Sequence, residues 1–227
     1  MQKMRHFYKY IDRYLVGIII GVLLQCAAFF IIGDLSDDAH IVWSALDDAI
    51  PFCVPFVVPY VTWFFYILAG FISFWHFHRQ SAEDHSEFVR IMWLMGLGLL
   101  FCAVFYIIYP TRIPFEQVRP DLSQQKGVFN WLMNFVYQRN VSNNALPSEH
   151  CYVSMVLCLG FLRAPALKKS KHRFWVYPAS VLLSVSIVAA TVFTKQHSIL
   201  DFFAASVLFI VLSIIVYYIP WRKKRNV

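Results

Sequence analysis

Six stretches, at roughly 14–33, 52–75, 88–109, 151–167, 174–193 and 199–219, are almost wholly apolar, and the polar residues collect in the segments between them. Lipid offers no hydrogen-bond partner to a bare peptide group, so such a stretch crosses as a helix, which satisfies its own N–H and C=O groups and needs about 20 residues to span the hydrocarbon. The pattern predicts an all-α, polytopic membrane protein: a single domain over residues 1–227, built as a six-transmembrane-helix bundle. The fourth run is the shortest and opens beside the polar Ser148, so its outer end is expected to be buried in protein. Residues 3–13 mix Lys and Arg with Phe7, Tyr8, Tyr10 and Ile11, which predicts a helix lying at the headgroup layer. Pro51, Pro55 and Pro59 recur every four residues and predict a bend at the outer end of the second span. In the long loop at about 110–147, Val128, Trp131, Leu132, Phe135 and Val136 follow helical spacing and predict a short interfacial helix.

The basic residues orient the bundle, because cytoplasmic loops carry the excess of Lys and Arg. Of the 20 basic residues, 15 fall in the N-terminal tail, the second-to-third and fourth-to-fifth loops and the C-terminal tail, so both termini are expected in the cytoplasm. The first outer loop holds Asp34, Asp37, Asp38, Asp47 and Asp48 and no base. Composition agrees: 59% of residues are apolar and 15% charged, against roughly 25% charged in a soluble globular chain. A soluble enzyme is excluded on that ground. The formal net charge of +7 does not indicate nucleic acid, since the bases sit between apolar runs and not on one face of a soluble fold. The first run is too long for a signal-peptide core and lacks a small-residue cleavage site, so it is expected to remain as a span. The five cysteines lack C-x-x-C spacing and read as packing residues.

Five bases break the asymmetry by falling outside: Arg112, Arg119, Lys126, Arg139 and Lys195. Ionisable groups at the ends of spans are functional candidates, and three clusters gather there. Arg112 and Arg119-Pro120 follow the third span, Pro147-Ser148-Glu149-His150 opens the fourth, and Lys195-Gln196-His197 with Asp201 opens the sixth. Taken singly, each has an ordinary reading as headgroup anchor, helix N-cap or polar pair four residues apart. At one membrane depth they suit attack on phosphorus. Guanidinium forks bind phosphate oxygens in pairs, and a helix N-terminus offers free N–H groups. An imidazole is a competent nucleophile when a carboxylate holds its other nitrogen, and a second imidazole on another helix can protonate the leaving oxygen.

The order R-x6-RP (Arg112 to Pro120), PSEH (Pro147 to His150) and H-x3-D (His197 to Asp201) resembles the signature K-x6-RP, PSGH, SR-x5-H-x3-D of the type 2 phosphatidic acid phosphatase superfamily, whose membrane branch has six spans. The resemblance implies catalytic roles for His197 as the phosphohistidine, Asp201 as its support and His150 as the acid, and phosphate binding by Arg112, Arg119 and Ser148, with no metal and no cofactor. This chain departs at two places. Ala190-Thr191 stands where the superfamily has Ser-Arg, with Lys195 as the candidate replacement charge, and Glu149 stands where it has Gly. His76, His78 and His85 read as cytoplasmic loop residues.

The expected function is hydrolysis of a lipid phosphate or diphosphate, such as an isoprenyl diphosphate, phosphatidate or phosphatidylglycerophosphate, at the outer face of the cell membrane. Two rivals stand beside it: a phosphotransferase passing the phosphoryl unit to a lipid alcohol, and a non-catalytic lipid transporter or scramblase on the same bundle. The expected partners are a lipid phosphate and the bilayer. Asn140-Val141-Ser142 forms a glycosylation sequon on the outer side, meaningful only in a secretory pathway.

Overall fold

The computed structural model describes residues 39–139 and 144–218. The first predicted span, the helix expected at 3–13, the sequon and the C-terminal basic tail lie outside the described residues. In chain order the elements are β1 (His40–Ile41), α1 (Ala45–Ala49), α2 (Val57–Phe77), α3 (Ala82–Ile108), β2 (Thr111–Arg112), α4 (Phe115–Val118), α5 (Val128–Tyr137), α6 (Glu149–Arg163), α7 (Pro165–Lys168), α8 (Arg173–Phe193) and α9 (Ile199–Tyr218). A 3₁₀ turn, Val54–Phe56, leads into α2.

Four stretches, Val54–Phe77, Ala82–Ile108, Arg173–Phe193 and Ile199–Tyr218, are helices long and apolar enough to cross a membrane. At 1.5 Å per residue even the shortest reaches about 30 Å, the thickness of the hydrocarbon. They expose large side chains without polar relief, Phe64, Phe65, Leu68 and Ile72 on α2 and Leu182 and Val185 on α8 among them. Exposed apolar surface of this extent is the kind a lipid-facing helix presents.

The fourth predicted run is the shortest of the five that lie within the described residues. It forms α6, which ends at Arg163 because Pro165 follows and disfavours helix at the residue before it. Its 15 residues span about 22 Å, short of the bilayer core. No residue of α6 is exposed. It packs on α2, α3, α8 and α9, which surround it, so protein takes the place of lipid along its whole length. Close approach is specified locally: a Cβ on Gly98 of α3 would be driven into the ring of the buried Tyr152, whose hydroxyl donates to the Leu94 carbonyl at 2.6 Å.

Two further expectations change. The prolines do not bend a span: Pro51 precedes the helix, Pro55 sits in the 3₁₀ turn and Pro59 in the first turn of α2. A helix start lacks i→i−4 partners for its N–H groups, so proline is harmless there. The all-α description is incomplete by one short pairing, in which β1 lies parallel to β2 with His40 opposite Thr111 and Ile41 opposite Arg112. The helix predicted in the long loop is present as α5, with Met133 buried and Trp131 outward.

Connectivity alone sorts the bundle ends. The starts of α2, α6 and α9 and the finishes of α3 and α8 share one end, carrying residues 39–56, 109–148 and 194–198. The turns at 78–81 and 164–172 occupy the other, where Glu87 accepts from Arg163 Nε at 2.9 Å and Tyr217 Oη at 2.5 Å.

Candidate active site

The turn between α8 and α9 carries the central pair. His197 is buried, and its Nδ1 lies 2.9 Å from Asp201 Oδ2 and 3.1 Å from the Ala145 carbonyl. Two acceptors on one nitrogen place the proton on Nδ1, leaving the lone pair on Nε2. Asp201 is fully buried, and its Oδ2 also accepts from Ser198 N at 3.0 Å. One carboxylate thus closes the first turn of α9 and fixes the ring four residues earlier.

Ser148 caps α6, its Oγ accepting from Cys151 N at 3.4 Å, and its own N–H donates to the Asp201 carbonyl at 3.3 Å. The helix starts of α6 and α9 are therefore tied directly. His150 follows in the first turn of α6, its ring 5.6 Å from that of His197, centroid to centroid. Trp63 and Tyr60 of α2 pack on the other side of His150, at 4.2 and 4.7 Å between centroids. The two imidazoles are neighbours with nothing else between them among these ring contacts. Glu149 is half-buried at the first position of α6, where a carboxylate is favoured by the helix dipole.

Of the two guanidinium groups, Arg119 is brought to the His197 turn. Its Nη2 donates to Gln196 Oε1 at 2.8 Å and its Nε to the Lys195 carbonyl at 3.3 Å. Its plane lies over Phe115 and Tyr137 at 3.2 and 4.3 Å from the ring centroids. Burial, the largest influence, pulls its pKa down to about 10, which leaves it a cation at neutral pH. Arg112 lies on β2 beside the Asn144 bridge, its Nε buried without a hydrogen-bond partner among the described residues. Gln196, 3% exposed, has its Nε2 in the same condition.

Lys195 departs from expectation. Its backbone adopts φ 54°, the left-handed region that non-glycine residues rarely enter, and its ammonium turns to the carbonyls of Asp47 and Ile50 at 2.6 and 2.5 Å. Burial lowers its pKa, opposed by Asp47 and Asp48. A side chain engaged in this way is a tether to the first outer loop, so Lys195 is dropped as the replacement phosphate-binding charge. Thr191, where the resemblance leads one to expect an arginine, is fully buried, and its hydroxyl donates back to the Val188 carbonyl.

The residue that sequence reading missed is Asp47. It is fully buried, and its carboxylate accepts from four donors: Ser44 N, Ser44 Oγ and Ser198 Oγ at Oδ2, and Ile199 N at Oδ1, all within 2.9 Å. It caps its own short helix and α9 at once, across 150 positions of sequence. The Ser44-x-x-Asp47 spacing is half of a capping signature and pointed to α1; nothing local pointed to Ser198. Tyr106, whose hydroxyl donates to the Pro147 carbonyl at 2.6 Å, and Thr111, whose Oγ1 accepts from Leu146 N, hold the approach to Ser148 in the same way.

Among the described residues no group of three His, Cys, Asp or Glu is placed to hold a metal ion; His78 stacks on Phe88 and Trp75 at the opposite end. Cys53, Cys102, Cys151 and Cys158 are free thiols. Compared with known proteins, the chain matches no family model, no curated protein and no solved structure.

Proposed function

We propose that this chain is a membrane phosphatase of the type 2 phosphatidic acid phosphatase kind, acting on a lipid phosphate or diphosphate through a phosphohistidine on His197. The observation that carries the reading is the histidine pair: His197, held at Nδ1 by Asp201 and the Ala145 carbonyl, with His150 beside it. In this reading His197 Nε2 attacks phosphorus and the bond to the lipid oxygen breaks. His150 gives that oxygen its proton and then takes one from the water that hydrolyses the N–P bond. Arg119, Arg112 and the N–H groups at the start of α6 stabilise the equatorial oxygens. The test is phosphate release from purified protein over a panel of isoprenyl diphosphates, phosphatidate and phosphatidylglycerophosphate. Turnover is expected to survive a chelator and to be blocked by vanadate. No release from any of these lipids would overturn the reading.

A second reading, transfer of the phosphoryl unit to a lipid alcohol, draws on two observations. Thr191 fills the place of one arginine, and Lys195 is engaged elsewhere. With one cation fewer than the superfamily pattern supplies, the site suits a singly charged phosphodiester better than a dianion. Loss of donor lipid that depends on an added lipid alcohol, without phosphate release, distinguishes it.

The basic asymmetry of 15 residues to five supports a site on the extracytoplasmic side of the cell membrane in this proposal. Gln124→Cys, in the exposed loop before α5, is expected to react with an impermeant thiol reagent added outside intact cells, tested in a background with the native cysteines replaced. Labelling only after the inner face is opened would reverse the orientation.

A further inference from the structure

At the end of the bundle opposite the histidines, a groove with about 520 Å³ of open space is lined by Leu162, Lys168, Arg173, Phe174, Tyr177 and Pro178. Two cations and no carboxylate face it. Arg173 is held at the rim by a 2.8 Å hydrogen bond from Nη1 to the Lys168 carbonyl. Lys168 is exposed and meets no carboxylate among the described residues, whereas its neighbour Lys169 pairs with Glu83. Residues 163–173 include five bases and no acid. Tyr177 lines the groove with its ring, its hydroxyl being buried away from the open space. Phe174 and Trp175, 68% and 80% exposed, stand at the start of a membrane-length helix, where aromatic side chains occupy the headgroup layer.

From these features we infer that the groove holds one anionic phospholipid from the adjacent leaflet. The phosphate lies against Lys168 and Arg173, and an acyl chain follows Leu162, Phe174, Pro178 and the ring of Tyr177. A choline headgroup carries its own cation to the same two bases, so the site discriminates by net headgroup charge. The site is independent of the phosphatase reading and sits at the other end of the molecule.

The experiment is native mass spectrometry of the purified full-length protein in a neutral detergent, with phosphatidylglycerol or phosphatidylcholine added at equal concentration. Retention of phosphatidylglycerol is expected to exceed that of phosphatidylcholine by about thirtyfold, the effect of two bases near a headgroup. K168Q/R173Q should bring the ratio close to one. K169Q/K171Q removes the same charge outside the groove and should leave the preference intact. Equal retention of the two lipids by the wild type, or equal loss in both double variants, would overturn the inference. Displacement of the lipid by glycerol 3-phosphate would also overturn it, by showing a site for a soluble phosphate.

Discussion

His197→Ala is expected to lower turnover of any lipid phosphate by about 10⁵-fold or more, the scale on which removal of a covalent nucleophile acts. The expectation rests on the tautomer: Asp201 Oδ2 and the Ala145 carbonyl both take the Nδ1 proton, so the nucleophilic lone pair is on Nε2. Asp201→Asn should cost less, about 10²- to 10⁴-fold, because the ring stays in place while its tautomer is no longer enforced. Rapid-quench trapping of an acid-labile phosphoprotein from labelled substrate reads both effects directly: wild type and Asp201→Asn should form it, His197→Ala should not. Trapping at full level in His197→Ala would remove His197 from the mechanism.

Asp47→Ala should be the most damaging change outside the histidine pair. It strands Ser198 Oγ in a fully buried position and Ser44 N, Ser44 Oγ and Ile199 N in part-buried ones, and an unmet buried donor costs about 1–3 kcal/mol, less where water can reach it. Partial relaxation makes the costs less than additive, and a net loss of about 4 kcal/mol lowers Tm by about 10 °C for a chain of this size. Turnover should fall as well at temperatures where the protein is still folded, since the residues released, Ser198 and Ile199, adjoin His197. Lys195→Met removes the other tether between the same two segments, and the double variant should cost less than the two single effects combined, because both hold one turn to one loop. Thermal unfolding in detergent, read beside phosphate release, checks the pair. Unchanged Tm and turnover in Asp47→Ala would show that the clamp positions nothing.

What was legible in the sequence is what local pattern controls. Unbroken apolar runs can exist only as self-satisfied helices, so α2, α3, α8 and α9 are where hydropathy placed them, within a few residues. Helical spacing in the long loop sufficed for α5, because its apolar stripe needs a surface to lie on and nothing else. Order along the chain, with each helix reversing direction, already put Arg112, Arg119, Ser148, Glu149, His150, Lys195, His197 and Asp201 at one end of the bundle. The H-x3-D spacing also sufficed for the 2.9 Å contact between His197 and Asp201, since residues four apart face one another on a helix turn.

The remainder depended on which segments meet, and no periodicity records that. Hydropathy cannot tell lipid from the side chains of four neighbouring helices, so the apolar run at 151–167 did not reveal that the 15 residues of α6 are enclosed by protein. Lys195 read as a free cation because charge is visible in a sequence and its partner is not; two backbone carbonyls 145 and 148 positions away take its ammonium. Asp47 read as one of five loop acids, its sign agreeing with an outward face, and only the approach of residues 44–50 to residues 195–199 makes it the cap of α9. Hydrogen bonds to main-chain groups leave no trace in residue identity on the partner's side, which is why the tertiary structure alone decided how the His197 turn is held.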